Sequence, residues 1–139
     1  MSRVADIVRQ VYQKIITTKN FGQCMRNVQL LSAGDGNCKA QFTVSDEHVN
    51  VMGTLHGGFT STVIDCVSGY ALASVGTGAL GVSVDLHVTF MKTASIGEVV
   101  TIDASTKRVG KKLAFLTVEL TKNEGKDIVA LGQHTKYFI

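Results

Sequence analysis

Two short constellations carry residue types that could do chemistry. The first is His56-Gly57-Gly58. A helix that begins there exposes unpaired N–H groups and the positive end of its dipole, and glycine lets a ligand approach the backbone closely. Such a place suits an oxygen that gains negative charge during a reaction. The same glycines also serve as a plain turn before a helix, and the tripeptide alone does not separate the two readings. The second is Asp65, set among Val63, Ile64, Cys66 and Val67. A carboxylate in apolar surroundings is costly unless it is paired, or it shifts its pKa upward. Asp65 is therefore read as functional, against the alternative of a side chain that turns to solvent or accepts from a nearby serine.

Asp65 lies eight residues beyond Gly57, which is about 12 Å along a helix. One carbonyl group cannot touch both within one chain. If both act on one substrate, Gly57 of one subunit must face Asp65 of another, and the protein is a homo-oligomer with shared sites.

Other candidates are weaker. The turn Lys107-Arg108-Val109-Gly110-Lys111-Lys112 holds four of the chain's 14 Lys and Arg residues. It could bind phosphates, but on the residues alone a solvated hairpin explains it better. His48, His87 and His134 show no metal-ligand spacing, so no metal site is expected. G-x-S-x-G, Walker and dinucleotide motifs are all missing, which excludes the enzymes that carry those signatures.

The elements that must position these residues follow from periodicity. Val4, Ile7, Val8, Val11, Tyr12, Ile15 and Ile16 fall at helical spacing and predict an amphipathic first helix, broken at Asn20-Phe21-Gly22. A strand is expected from about Met25 to Ser32, then a turn at Gly34-Asp35-Gly36-Asn37. Cys38, Ala40, Phe42 and Val44 alternate with polar positions as in a half-buried strand. Residues 46–56 read as an irregular loop. A helix should run from Gly57 to Gly76 or Gly78, buried on most sides because nearly all its residues are small or apolar.

Four strands should follow, at about 82–91, 99–109, 113–120 and 128–137. Alternation in the first puts Val82, Val84, Leu86, Val88 and Phe90 on one face and Ser83, Asp85, His87, Thr89 and Met91 on the other. No helical crossover separates these strands, so the fold class is α+β with a largely antiparallel sheet.

The chain has 139 residues, enough for one domain with a real core. Its hydrophobic content of 45% is too high for disorder. A formal charge of +3 with scattered basic residues argues against a nucleic-acid partner. Cys24, Cys38 and Cys66 are odd in number and widely spaced, which predicts free thiols in a reducing compartment. The N-terminus lacks a secretory core. Its first 16 residues are amphipathic like a mitochondrial targeting helix, although Asp6 and the shortage of serine argue against that role. A cytoplasmic location is expected, with mitochondrial association left open. Between Gly57 and Val84 the only charged residue is Asp65, yet Thr60, Ser61, Thr62, Ser68, Ser74 and several glycines make this a buried helix and loop rather than a membrane span.

The segment Asn50-Val51-Met52-Gly53-Thr54-Leu55-His56-Gly57-Gly58, with Asp65 downstream and Gly81-Val82-Ser83-Val84-Asp85-Leu86 after it, resembles the hot-dog-fold acyl-CoA thioesterases. The likeness continues through Gly110-Lys111-Lys112-Leu113-Ala114-Phe115 and Gly132-Gln133-His134-Thr135-Lys136, over nearly the whole chain. It implies a sheet of about six antiparallel strands wrapped around a long central helix, in one domain spanning residues 1–139. It also implies interface sites in a dimer, a tetramer made of two dimers, and hydrolysis of medium- to long-chain fatty acyl-CoA.

By this resemblance the Gly57 N–H polarises the thioester carbonyl, with Asn50 and His56 shaping that end. Asp65 of the neighbouring subunit activates water, which Ser83 orients; the second anchor on the water favours a general base over a nucleophile. Coenzyme A, part of substrate and product rather than a cofactor, would meet Arg108, Gly110, Lys111 and Lys112. Asp46, Ser83, Asp85, Phe90, Met91, Lys92, His134 and Tyr137 complete the substrate path that the resemblance implies. Thr93 departs from the family pattern, which carries proline there, and puts the turn after Phe90 and the Lys92 contact in question. The resemblance further suggests association with a phosphatidylcholine-transfer protein. The alternatives are a hot-dog dehydratase, which would need a catalytic histidine facing an acid, and a non-catalytic acyl-CoA-binding or lipid-transfer-partner module, which would have no need of a desolvated Asp65.

Overall fold

In the computed structural model, residues 3–76 and 78–139 are described; Met1, Ser2 and Thr77 lie outside them. Helix α1 spans Asp6–Thr17. Its apolar stripe buries Val8 and sets Tyr12 edge-on against Tyr70, with the Tyr12 hydroxyl donating to the Val28 carbonyl at 2.7 Å. The strand expected from Met25 begins later. Phe21–Met25 forms a 3-10 turn instead, because the Asn20 side chain accepts from the Gly22 N–H and caps it. Strands β1 (Gln29–Gly34) and β2 (Asn37–Thr43) form a hairpin through Asp35 and Gly36, both at positive φ.

Helix α2 runs Gly57–Ala73 and is followed by β3 (Val82–Phe90), β4 (Val99–Val109), β5 (Leu113–Lys122) and β6 (Asp127–Tyr137). α2 stops short of the glycines expected to end it. Ser74 closes the last turn, its hydroxyl donating to the Ala71 carbonyl and accepting from the Gly36 N–H. The six strands pair antiparallel, in the order β1-β2-β4-β5-β6-β3.

The sheet wraps α2. Val63, Ile64, Val67 and Ala71 of the helix join Phe42, Ile102, Leu116, Leu120 and Ala130 of the sheet in one core. The helix approaches closely at Gly132, where a Cβ would stand 2.6 Å from Ile64. The outermost stripe of α2 (Gly58, Ser61, Thr62, Asp65) escapes burial, at the i, i+3, i+4 spacing of one helix face, and Gly57, Phe59 and Cys66 beside it are half-buried. No helix among the described residues is long and apolar enough to cross a membrane.

Candidate active site

Strand β3 organises the site, and it departs from simple alternation. Ser83 lies opposite Lys136 on β6, but Asp85 lies opposite Thr135 and Leu86 opposite His134. The register slips at Val84, a β-bulge that re-aims the residues before it. Residues opposite one another in an antiparallel ladder share a face. Ser83 therefore lies on the helix side with Leu86, Val88 and Phe90, while Asp85 points to the outer face. The expectation that Ser83 and Asp85 share a face is corrected by this one inserted residue.

The bulge brings Ser83 to α2. Its Oγ is 2.7 Å from His134 Nε2, and His134 Nδ1 is 2.8 Å from Ser68 Oγ. Asp65 Oδ1 stands 3.9 Å from His134 Nε2. The His134 ring is buried, and burial pushes its pKa down; Lys136 adds to this, while Asp65 and Asp85 pull the other way. Lys136 is buried too, its Nζ 3.5 Å from where a side chain on Gly69 would begin. Burial lowers its pKa, opposed by Asp65 and Cys66. The Cys66 thiol is pushed up to about 12 by burial and the neighbouring Asp65 charge. The Asp65 side chain is 49% exposed. In the single chain the expected desolvation of this carboxylate is not met, because Asp65 sits on the one stripe of α2 that the sheet leaves uncovered.

The other end of α2 is apolar. His56 is the N-cap, and its Nδ1 accepts from the Gly58 N–H at 2.8 Å. The Gly57 N–H is the first of the helix and has no partner among the described residues. It borders a hollow of about 360 Å³ lined by Leu55, Thr60, Phe90, Met91, Lys92, Thr93 and Val129. The Phe90 ring lies 3.3 Å from where a Gly57 side chain would begin. Thr93 leaves the turn formed, since the Met91 and Lys92 N–H groups both bond to the Val129 carbonyl. The Lys92 ammonium is paired with Asp127 at 2.9 Å.

Asn50 organises the loop in front of the helix. Its Oδ1 accepts from the Met52 and Thr54 N–H groups and its Nδ2 donates to Thr54 Oγ1, which leaves one amide hydrogen free to donate. Asp46 starts the 3-10 turn Asp46–His48 on the same loop and is exposed.

The basic turn joins β4 to β5. Arg108, Gly110, Lys111, Lys112, Leu113 and Phe115 line a hollow of about 440 Å³, and Tyr137 pairs with Leu113 beside it. Asp85 borders a separate hollow of about 330 Å³ with Lys107 and Phe115. His134, expected on the substrate path, also borders this hollow, and its ring lies beneath Ser83.

Ser68 and Lys136 were not singled out from the sequence. Their signals were present: Ser68 is one turn from Asp65, and Lys136 is two residues from His134 on an alternating strand. No group of three or more His, Cys, Asp or Glu residues able to hold a metal occurs among the described residues.

Known proteins resemble the chain in sequence and in fold. The profile of the family described as Thioesterase superfamily matches residues 52–129. Human acyl-coenzyme A thioesterase 13 is 38% identical over 137 residues, covering 99% of this chain and 98% of that protein. The crystal structure of zebrafish thioesterase superfamily member 2 superposes with a TM-score of 0.92 at 37% identity, covering 99% of this chain and all of that one. A protein from Streptococcus pneumoniae described as a hypothetical thioesterase, solved with coenzyme A, superposes with a TM-score of 0.76 at 25% identity over 81% of this chain and 88% of its own. A six-stranded antiparallel sheet around a buried helix, together with these full-length matches, places the chain in the thioesterase superfamily as a hot-dog-fold thioester hydrolase.

Proposed function

We propose that the chain hydrolyses medium- to long-chain fatty acyl-CoA to free fatty acid and CoA at sites shared between two subunits. The observation that carries the shared site is the placement of unlike chemistry at opposite ends of β3. Ser83, with Asp65 above it, stands at one end, and Phe90, beneath Gly57, at the other. β3 is an edge strand, exposed along nearly its whole length, with Val82, Val84 and Phe90 about half exposed. An open apolar edge is a template for pairing with another strand. Antiparallel pairing about a twofold axis sets the start of one β3 against the end of its mate. The Gly57 end of one subunit then meets the Asp65 end of the other, twice per dimer.

In that arrangement the free Gly57 N–H donates to the thioester carbonyl oxygen, with the spare Asn50 amide hydrogen as a second donor and His56 holding the helix start. Asp65 takes a proton from water as the water oxygen bonds to the carbonyl carbon. The carbon–sulfur bond breaks, the electron pair leaves on sulfur, and Asp65 returns the proton to it. Ser83 holds the water. Arg108, Lys111 and Lys112 suit the phosphates of coenzyme A, with Gly110 giving backbone access and Tyr137, Asp85 and Asp46 at the rim. Met91 and Phe90 suit the acyl-pantetheine path, and the apolar lining at Gly57 suits a fatty chain. Leu113, Phe115, Leu131 and Tyr137, partly exposed on the outer sheet face, support a tetramer of two dimers. Free Cys24, Cys38 and Cys66 fit a reducing, cytoplasmic setting. Mitochondrial association and a phosphatidylcholine-transfer partner rest on the family likeness alone.

The test is release of free thiol from palmitoyl-CoA, followed with a thiol-reactive dye. Turnover is expected. Saturable binding of palmitoyl-CoA without thiol release would replace this reading with a non-catalytic binding module.

A further inference from the structure

We propose that His134 is a positioning residue: Ser68 fixes its Nδ1–H tautomer, its Nε2 takes the hydroxyl hydrogen of Ser83, and Ser83 thereby turns its lone pairs toward the attacking water. The inference rests on the hydrolytic reading above and adds the orientation of its nucleophile.

The argument is a count of hydrogens. Ser68 Oγ lies 2.9 Å from the Asp65 carbonyl oxygen and 2.8 Å from His134 Nδ1. A hydroxyl carries one hydrogen, and a carbonyl oxygen can only accept. If Ser68 gave its hydrogen to Nδ1, two oxygens would face each other at 2.9 Å with no hydrogen between them. The hydrogen therefore goes to the Asp65 carbonyl, and Nδ1 must carry the hydrogen that Ser68 Oγ accepts. In a neutral imidazole the other nitrogen is then a bare acceptor. The group it meets, at 2.7 Å, is Ser83 Oγ, so the Ser83 hydrogen is committed to Nε2.

Ser83 is left with acceptor lone pairs facing the site. A water between Ser83 and Asp65 gives one hydrogen to each and keeps a lone pair for the carbonyl carbon. An imidazolium would undo this, because both ring nitrogens would donate, and the freed Ser83 hydrogen would compete with water for Asp65. The charged groups that act on the ring are Asp65 on α2, Lys136 on β6 and, from the outer face of β3, Asp85; burial and Lys136 favour the neutral ring against the two carboxylates.

Nitrogen NMR of the uniformly labelled full chain reads the tautomer directly, with the His134 signals assigned by their loss in His134→Gln. A pyrrole-type Nδ1 and a pyridine-type Nε2 at neutral pH are expected. In Ser68→Ala the Nδ1–H preference should be lost. Its kcat on palmitoyl-CoA should fall about tenfold with KM nearly unchanged, and Ser68→Thr should recover most of the loss. In wild type, kcat should fall as pH drops through the titration of the His134 nitrogens seen in the same spectra. A protonated Nε2 at neutral pH, or a Ser68→Ala enzyme with wild-type kcat, would overturn the proposal. Absence of thiol release by the wild-type protein would instead sink the hydrolytic reading, and the spectra would still decide the tautomer.

Discussion

At one end of the α2–β3 pair, four polar side chains from three elements converge: Asp65 and Ser68 from the helix, Ser83 from β3 and His134 from β6. At the other end, the Gly57 N–H, without a partner among the described residues, borders an apolar hollow beside Phe90. In the proposed function the polar end supplies the base and the holder for water. In the same reading the apolar end supplies the donor and room for a chain. Each is chemically half of an acyl-transfer site. Along the helix they stand about 12 Å apart, and neither can supply the other within one chain. On the proposed reading the oligomer is part of the chemistry, and a fault at either end should show in a different kinetic constant.

The largest effect is expected at the polar end. Asp65→Asn keeps the shape and removes the base, so kcat on palmitoyl-CoA should fall at least about a hundredfold with little change in substrate binding. Near wild-type turnover would take the base away from Asp65.

The next experiment joins the two ends. Asp65→Asn and Asn50→Ala, each impaired alone, are mixed under conditions that exchange subunits. A mixed dimer has one site with both wild-type halves and one with both defects. Complete random exchange makes half the dimers mixed, so activity should recover to about a quarter of wild type. If exchange is verified and no activity returns, each site is built within one chain and the contrast drawn above loses its meaning.

A smaller change is expected where neither end is touched. Replacing Arg108, Lys111 and Lys112 together with alanine should raise KM for acyl-CoA about tenfold, more at low salt. Turnover of a short acyl-pantetheine thioester should stay nearly unchanged. Equal loss on both substrates would show that the turn holds no nucleotide phosphate.

The smallest effect concerns the buried ammonium behind the polar end. The native pKa of Lys136 is lowered by burial. Between that value and its unfolded value of about 10.4, the unfolded chain binds more protons than the native one, so this residue makes stability rise with pH. In denaturant titrations across that window, Lys136→Met should lack the rise that wild type shows. Identical slopes would mean that Lys136 titrates alike in both states.

Much of the architecture was legible because it rests on local periodicity. The apolar spacing of α1, the small-residue run of α2 and the alternation of the last three strands each demand a buried face, and the turns at Asp35-Gly36 and Gly110 mark where direction reverses. Helix rise alone separated Gly57 from Asp65. Where local pattern failed, a non-local partner had intervened. The end of α2 was set by Ser74 reaching Gly36, not by the glycines beyond it. The faces of β3 were set by its register on β6, which no alternation within β3 could reveal.

The sequence by itself determined the α+β class, the order of elements and the identity of the two reactive candidates, because these depend on residue types and on spacings of a few positions. Only the tertiary structure decided that Ser83 turns to the helix, that His134 lies buried between two serines, that Lys136 sits under Gly69, and that Asp65 is half exposed on the one uncovered stripe of α2. Those outcomes depend on residues more than fifty positions apart being brought within hydrogen-bonding reach, and the register of a sheet is fixed by packing and bulges across strands rather than along them.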